Sequence, residues 1–309
     1  MPIYNAARYL PDALRSLERQ TTRCFELIAV DDCSSDCSGA LILEFAAKHP
    51  DIPVRYTRNV QNLGNYSTRN KGLRLARGTF ICMLDADDQY RDNYVEQLLW
   101  EIEHTGADMV FCGYDKVHDP SGKQEHYESF KRYPPSREKR IVLRYYLMGH
   151  THIAHWATIF RKKFLEENHL SYTEGWHVAG DTELVCKALL TCRRISFLEE
   201  SLYLYRIHPN SITTSIPDET AFETYSAYLR VFHSIRNPLF KLFFLVTKQA
   251  RATNIILMKF YSAGVKMPYF FCSKYKILLY QVLNCLISKP RNAKILLRYY
   301  IETYLKKEQ

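Results

Sequence analysis

Short apolar runs alternate with helix-spaced segments along the first 118 residues, and two of those runs end in crowded aspartates. FELIAV leads into Asp31 and Asp32, and TFICML leads into Asp85, Ala86, Asp87 and Asp88. Around them, AARYLPDALRSLERQ carries Leu10, Ala13, Leu14 and Leu17 at helical spacing. LILEFAAKH and STRNKGLRLARG read as further helices, and VRYTRN as a strand. Gly78 is expected to close the third helix, and Gly106 to end NYVEQLLWEIEHTG. ADMVFCGYDKV is another strand. Strands alternating with helices predict an α/β fold, with a mostly parallel sheet flanked by helices. In such sheets ligands collect beyond the carboxyl ends of the strands, where both aspartate clusters fall. Carboxylates this close repel one another, so the second cluster calls for positive charge beside it.

The chain has 309 residues, 47% hydrophobic and 24% charged, which leaves room for one large domain and an appendage. Its nine cysteines include no CxxC pair. Cys33 and Cys37 come nearest, with no His/Cys cluster to complete a zinc site, so a reducing cytosol is expected. MPIYNAARYL lacks a basic leader and an apolar core, so no secretory signal is expected. LFFLVTKQARATNIILMKFY is interrupted by Lys248 and Arg251, and no membrane span is expected. The net charge of +9 is uneven: residues 236–309 hold 14 Lys/Arg against 2 Asp/Glu, while the rest holds 28 against 31. This tail has two readings. It is a basic, aromatic amphipathic surface for an anionic membrane, or a helical appendage with a solvated basic face. Nucleic acid is not an expected partner, because no recognition motif accompanies the charge. The region 119–150 reads as loop-like and basic.

PIYNAARYL, LIAVDDCSSD, NLGNYSTRNKGLRLARGTFICMLDADD and GDTELVCKALL occur in that order. Together they resemble the family 2 glycosyltransferases over about residues 1–213. The resemblance implies a GT-A, Rossmann-like fold and an inverting enzyme. Such an enzyme transfers sugar from a UDP-sugar to a glycan or lipid-linked saccharide acceptor, in surface polysaccharide or lipopolysaccharide synthesis. It implies a catalytic domain over 1–213, with a nucleotide-binding part at about 1–118 and an acceptor part at about 119–213. A helical, basic and aromatic region follows over 214–309. The implied location is the cytoplasm, including the cytoplasmic face of the inner membrane. The implied cofactor is Mn²⁺ or Mg²⁺, since hard cations that neutralise a diphosphate favour carboxylate oxygens.

Carried over by position, Asp87 and Asp85 belong to the metal site, with Asp85 also toward the ribose or metal-bound water, and Asp88 supports the loop. His208 is the third metal ligand. Pro2, Tyr4 and Asn5 form the first loop beside the base, and Asp31 and Asp32 hold base and ribose. Arg69 faces the diphosphate, and its guanidinium suits phosphate; Arg206 helps neutralise it. Asp181 is the general base, and Trp176 and His177 stack on the acceptor sugar. Plainer roles stand beside several of these. Asp85, Asp87 and Asp88 suit the end of a strand and a cap for the helix near Asn93, Asp31 and Asp32 a turn, Asp181 a helix N-cap, Arg69 a helix surface, His208 a loop, and Trp176 and His177 the core or a loop.

Three departures from the family pattern stand out. Cys33 and Cys37 replace common glycines, and Gly180 replaces the usual glutamate before the base. Only Met1 stands where an apolar strand normally precedes Pro2, so the sequence is expected to begin inside the natural one. A non-catalytic nucleotide-sugar-binding module, or a peripheral membrane protein on the same scaffold, is the alternative to an enzyme.

Overall fold

The computed structural model describes residues 1–209 and positions 227, 230, 231 and 234. The basic stretch 236–309 lies outside the described residues. The chain divides into two compact units, Met1–Ser215 and Ile216–Gln309.

Strands β1 (Pro2–Ile3), β2 (Leu27–Asp31) and β3 (Val54–Arg58) form a parallel sheet in that order. Strand β2 is buried along its whole length, as expected where crossover helices cover both faces of a parallel sheet. Helix α1 (Leu10–Glu18) buries Leu10, Ala13, Leu14 and Leu17, the set picked out by spacing. Its start is set by Pro11, which tolerates only the first helical turn. Helix α2 (Ser38–Lys48) joins β2 to β3. Helix α3 (Asn65–Leu75) ends three residues before Gly78, not at it. The Glu26 carboxylate accepts from the N–H groups of Arg77 (2.6 Å) and Gly78 (3.0 Å) and draws the chain off the helix axis.

A second sheet contains β4 (Phe80–Cys82), β5 (Gln89–Tyr90), β6 (Met109–His118), β7 (Lys123–Glu125), β8 (Thr158–Arg161) and β9 (Ile195–Ile207). Its order is β4-β8-β6-β9-β5, with β7 pairing β6. Only β6 and β9 run parallel; the other pairs are antiparallel. Parallel pairing thus dominates the first sheet, and the second is mixed. Helix α4 (Tyr94–Thr105) closes on Gly106 at φ +61°, the left-handed geometry that glycine supplies at a helix end.

Helices α5 (Tyr127–Phe130), α6 (Lys139–Met148), α7 (Lys162–Glu167) and α8 (Gly180–Thr191) complete the unit. Helix α6 corrects the reading of 119–150 as loop. KRIVLRYYLM buries Val142, Leu143, Tyr146 and Leu147 on one face, while Arg140 and Arg144 obscure the pattern in sequence.

Met1 continues β1 along β2. Its amine donates to the Ile28 carbonyl (2.9 Å), and its carbonyl accepts from the Val30 N–H (3.0 Å). Beside Met1 and Pro2 opens a cleft of about 350 Å³, lined also by Ile28 and Val30 of β2, Gly72 and Leu73 of α3, Ile81 of β4 and Val95 of α4.

Candidate active site

The carboxyl ends of β2 and β4 deliver the two aspartate clusters. Asp31 and Asp32 are buried, and their oxygens are committed to the protein. Asp31 accepts from the Ser34 N–H (2.8 Å) and the Tyr56 hydroxyl (2.9 Å). Asp32 accepts from the Asn59 amide (2.8 Å) and from the N–H groups of Leu63 and Gly64, both at 2.9 Å. The pair therefore organises the loops on either side. Pro2 lies in β1, and Tyr4 is 54% exposed at the adjoining loop. Asn5, at φ +47°, accepts from the Ser35 N–H (2.8 Å), and its own N–H donates to the Ser34 hydroxyl (3.0 Å). Cys33 takes φ +67°. The loop keeps the left-handed conformation that glycine favours, at a cost of roughly 1–2 kcal/mol for a side chain.

Beyond β4 the three aspartates have separate partners. Asp85 pairs with Arg69 of α3 at 2.5 Å, and the Arg69 Nε–H donates to Asn65 (2.9 Å). Asp87 lies 3.0 Å from the His208 Nε2. Asp88 is buried and accepts from the Tyr203 hydroxyl and the Arg206 N–H, both at 2.7 Å. Arg206 spans the loop. Its Nε–H donates to the Asp87 carbonyl (3.0 Å) and its Nη2–H to Asp12 (2.6 Å). Burial, and then the charge of Asp85, raise the Asp87 carboxyl above its ordinary range; His208 partly offsets this. Burial and the charges of Asp87 and Asp85 push Asp88 higher still. This is the crowding visible in sequence, and Arg69 is the positive group placed against it.

Among the described residues no three His, Cys, Asp or Glu side chains close a metal site by themselves. The Asp87–His208 pair, with Asp85 two residues away, is nevertheless a carboxylate–imidazole donor set that suits Mn²⁺. Such a set needs a ligand's own oxygens to complete the coordination.

Asp181 stands in the first turn of α8. Burial raises its carboxyl above the ordinary range, and the Thr182 N–H and Arg69 pull it back. The side chain keeps 43% exposure, so solvent tempers that rise. His155 Nδ1 lies 3.9 Å from it. Burial first, then Arg69, hold His155 neutral well below its usual pKa. Trp176, half-buried, and His177, exposed, lie in the loop entering α8. Gly180 lies against Tyr66, whose hydroxyl accepts from the Gly180 N–H at 2.9 Å. Helix α3 connects the two regions: Arg69 pairs with Asp85, and Tyr66 of the same helix holds the Gly180 N–H next to Asp181.

Tyr66, His155 and Tyr203 carry site contacts that the sequence reading did not assign. Tyr66 had one available signal: it precedes Arg69 by three positions, and residues so spaced share a helix face.

The sequence pattern of Glycosyl transferase family 2 matches residues 1–168. The chain belongs to this family. Among similar proteins, the uncharacterized glycosyltransferase EpsJ of Bacillus subtilis (strain 168) is 31% identical over 232 residues, which is 72% of this chain and 64% of EpsJ. The succinoglycan biosynthesis protein ExoO of Rhizobium meliloti (strain 1021) is 27% identical over 216 residues, or 68% of this chain and 60% of ExoO. The chain thus spans under two-thirds of either relative. Among solved structures, S. aureus TarS 1–349 in complex with UDP-GlcNAc superposes with a TM-score of 0.70, over 97% of this chain and 90% of that one, at 19% identity. That likeness places the chain in the GT-A fold.

Proposed function

We propose that the protein is an inverting glycosyltransferase. It moves a sugar from a UDP-sugar to a hydroxyl of a glycan or lipid-linked saccharide, in surface polysaccharide synthesis. The observation that carries this reading is the connection, through α3, of the Arg69–Asp85 pair to the start of α8 beside Asp181, with the Asp87–His208 pair on the same acidic loop. Family membership, the succinoglycan role named for ExoO and the UDP-GlcNAc bound to TarS support the substrate classes.

Arg69 supplies fixed positive charge next to Asp85, where a guanidinium suits a diphosphate. Asp87 and His208 would hold Mn²⁺ or Mg²⁺, which when bound neutralises the leaving diphosphate. Asp181 accepts the proton of the acceptor hydroxyl as that oxygen attacks the sugar carbon. Burial raises its pKa, which makes the ionised carboxylate a stronger proton acceptor. Attack opposite the departing UDP inverts the configuration. Arg206, tied to Asp12 and the Asp87 carbonyl, holds the acidic loop in shape.

The test is UDP release across a panel of UDP-sugars, with and without Mn²⁺. One donor should support metal-dependent release in the presence of an acceptor glycan. Asp87→Ala and Asp181→Asn should each lower turnover at least about 100-fold. Unchanged turnover in either variant refutes the mechanism.

A further inference from the structure

Helix α8 begins under strain. Ala179, the residue before it, sits at φ +64° with no side-chain hydrogen bond capping the helix. A left-handed alanine costs roughly 1–2 kcal/mol and persists only where neighbours enforce it. Tyr66 is the neighbour in contact. Its hydroxyl accepts the Gly180 N–H, and its ring fills the space a side chain at position 180 would need. A Cβ there would meet Tyr66 Cε2 at 2.7 Å and Cζ at 2.8 Å. The ring is itself pinned, 5% exposed and stacked on Tyr172 at 5.4 Å and 4°.

Tyr66 shares α3 with Arg69, which pairs with Asp85, and with Asn70. The Asn70 side chain exchanges hydrogen bonds with the main chain of Tyr172, at 2.9 and 3.0 Å. One rigid helix therefore touches the acidic cluster, the loop before α8 and the first residue of α8. Among the charges acting on the Tyr66 hydroxyl, Asp181 comes first.

We propose that Tyr66 is a positioning residue for Asp181: through Gly180 it fixes the first turn of α8, and it ties the base to the Arg69–Asp85 pair through α3. This inference rests on the reading of Asp181 as the base. Tyr66 touches no reacting atom. It sets where the Asp181 carboxylate stands relative to the donor.

The test is Tyr66→Phe in the full chain, which removes the hydroxyl and keeps the ring. The expected result is a fall in kcat of about tenfold or more, the scale of a misplaced catalytic group. KM for the UDP-sugar and the affinity for UDP should stay within about twofold, because donor contacts remain. The same change in an Asp181→Asn background should lower the residual rate less than twofold, since no base is left to position. A purely structural role would slow both backgrounds alike and would weaken UDP binding, and either outcome overturns the proposal. So does a Tyr66→Phe enzyme as fast as the parent while Asp181→Asn is inactive. Should Asp181→Asn retain full turnover, the base assignment fails and the proposal falls with it. Gly180→Ala is a second probe: with Tyr66 in place its Cβ collides, and kcat should fall again with KM unchanged. A parent-like kcat there would also overturn the proposal.

Discussion

Arg69→Met probes the electrostatics of the acidic cluster. The Arg69 side chain is 3% exposed and that of Asp85 21%, and they meet at 2.5 Å. With charge centres about 4 Å apart and an effective dielectric near 20, their attraction is about 4 kcal/mol. Removing one partner of a buried pair generally costs about 3–5 kcal/mol, because the other charge is left uncompensated. Here the penalty is aggravated, since Asp85 already presses on both Asp87 and Asp88. Arg69→Met should therefore lose about 3–5 kcal/mol near pH 7. Adding Asp85→Asn should recover at least about half of that, by removing the stranded charge. All three tryptophans, Trp100, Trp156 and Trp176, lie within the first unit, so urea melts followed by tryptophan fluorescence report on it. A loss under about 1 kcal/mol, or no recovery in the double variant, would refute the assignment of Arg69 as the compensating charge.

Two further outcomes follow from the geometry. Because burial raises the Asp181 carboxyl, kcat/KM should fall as pH drops through a midpoint above the ordinary value of about 4. The base is inactive once protonated, so the loss is on the acid side. A pH–rate profile with its acid limb at or below about pH 4 would contradict this. Gly72→Ala, inside α3 and lining the cleft, would place its Cβ 3.7 Å from Val30 Cγ2, an ordinary contact. It should stabilise the first unit by about 0.5–1 kcal/mol through helix propensity, and a lower urea midpoint would show the site to be tighter than described.

The local pattern was informative where the chemistry is local. Apolar runs ending in Asp31–Asp32 and Asp85–Asp88 marked strands and the end of the sheet that carries the site. Helical spacing found the buried face of α1, and Gly106 closed α4 as read. It failed where distant residues intervene: Glu26 ended α3 before Gly78, and arginines hid the apolar face of α6.

Sequence by itself thus determined the alternation of strand and helix, the acidic ends and the family, since periodicity and residue order are properties of the chain. Only the tertiary structure decided which partners those residues take. The Gly180–Tyr66 hydrogen bond joins positions 114 apart, and His208–Asp87 joins positions 121 apart. Arg206 is drawn to Asp12 across 194 positions. No local period encodes such pairings. They form because folding brings buried polar groups together, and each must then find a partner.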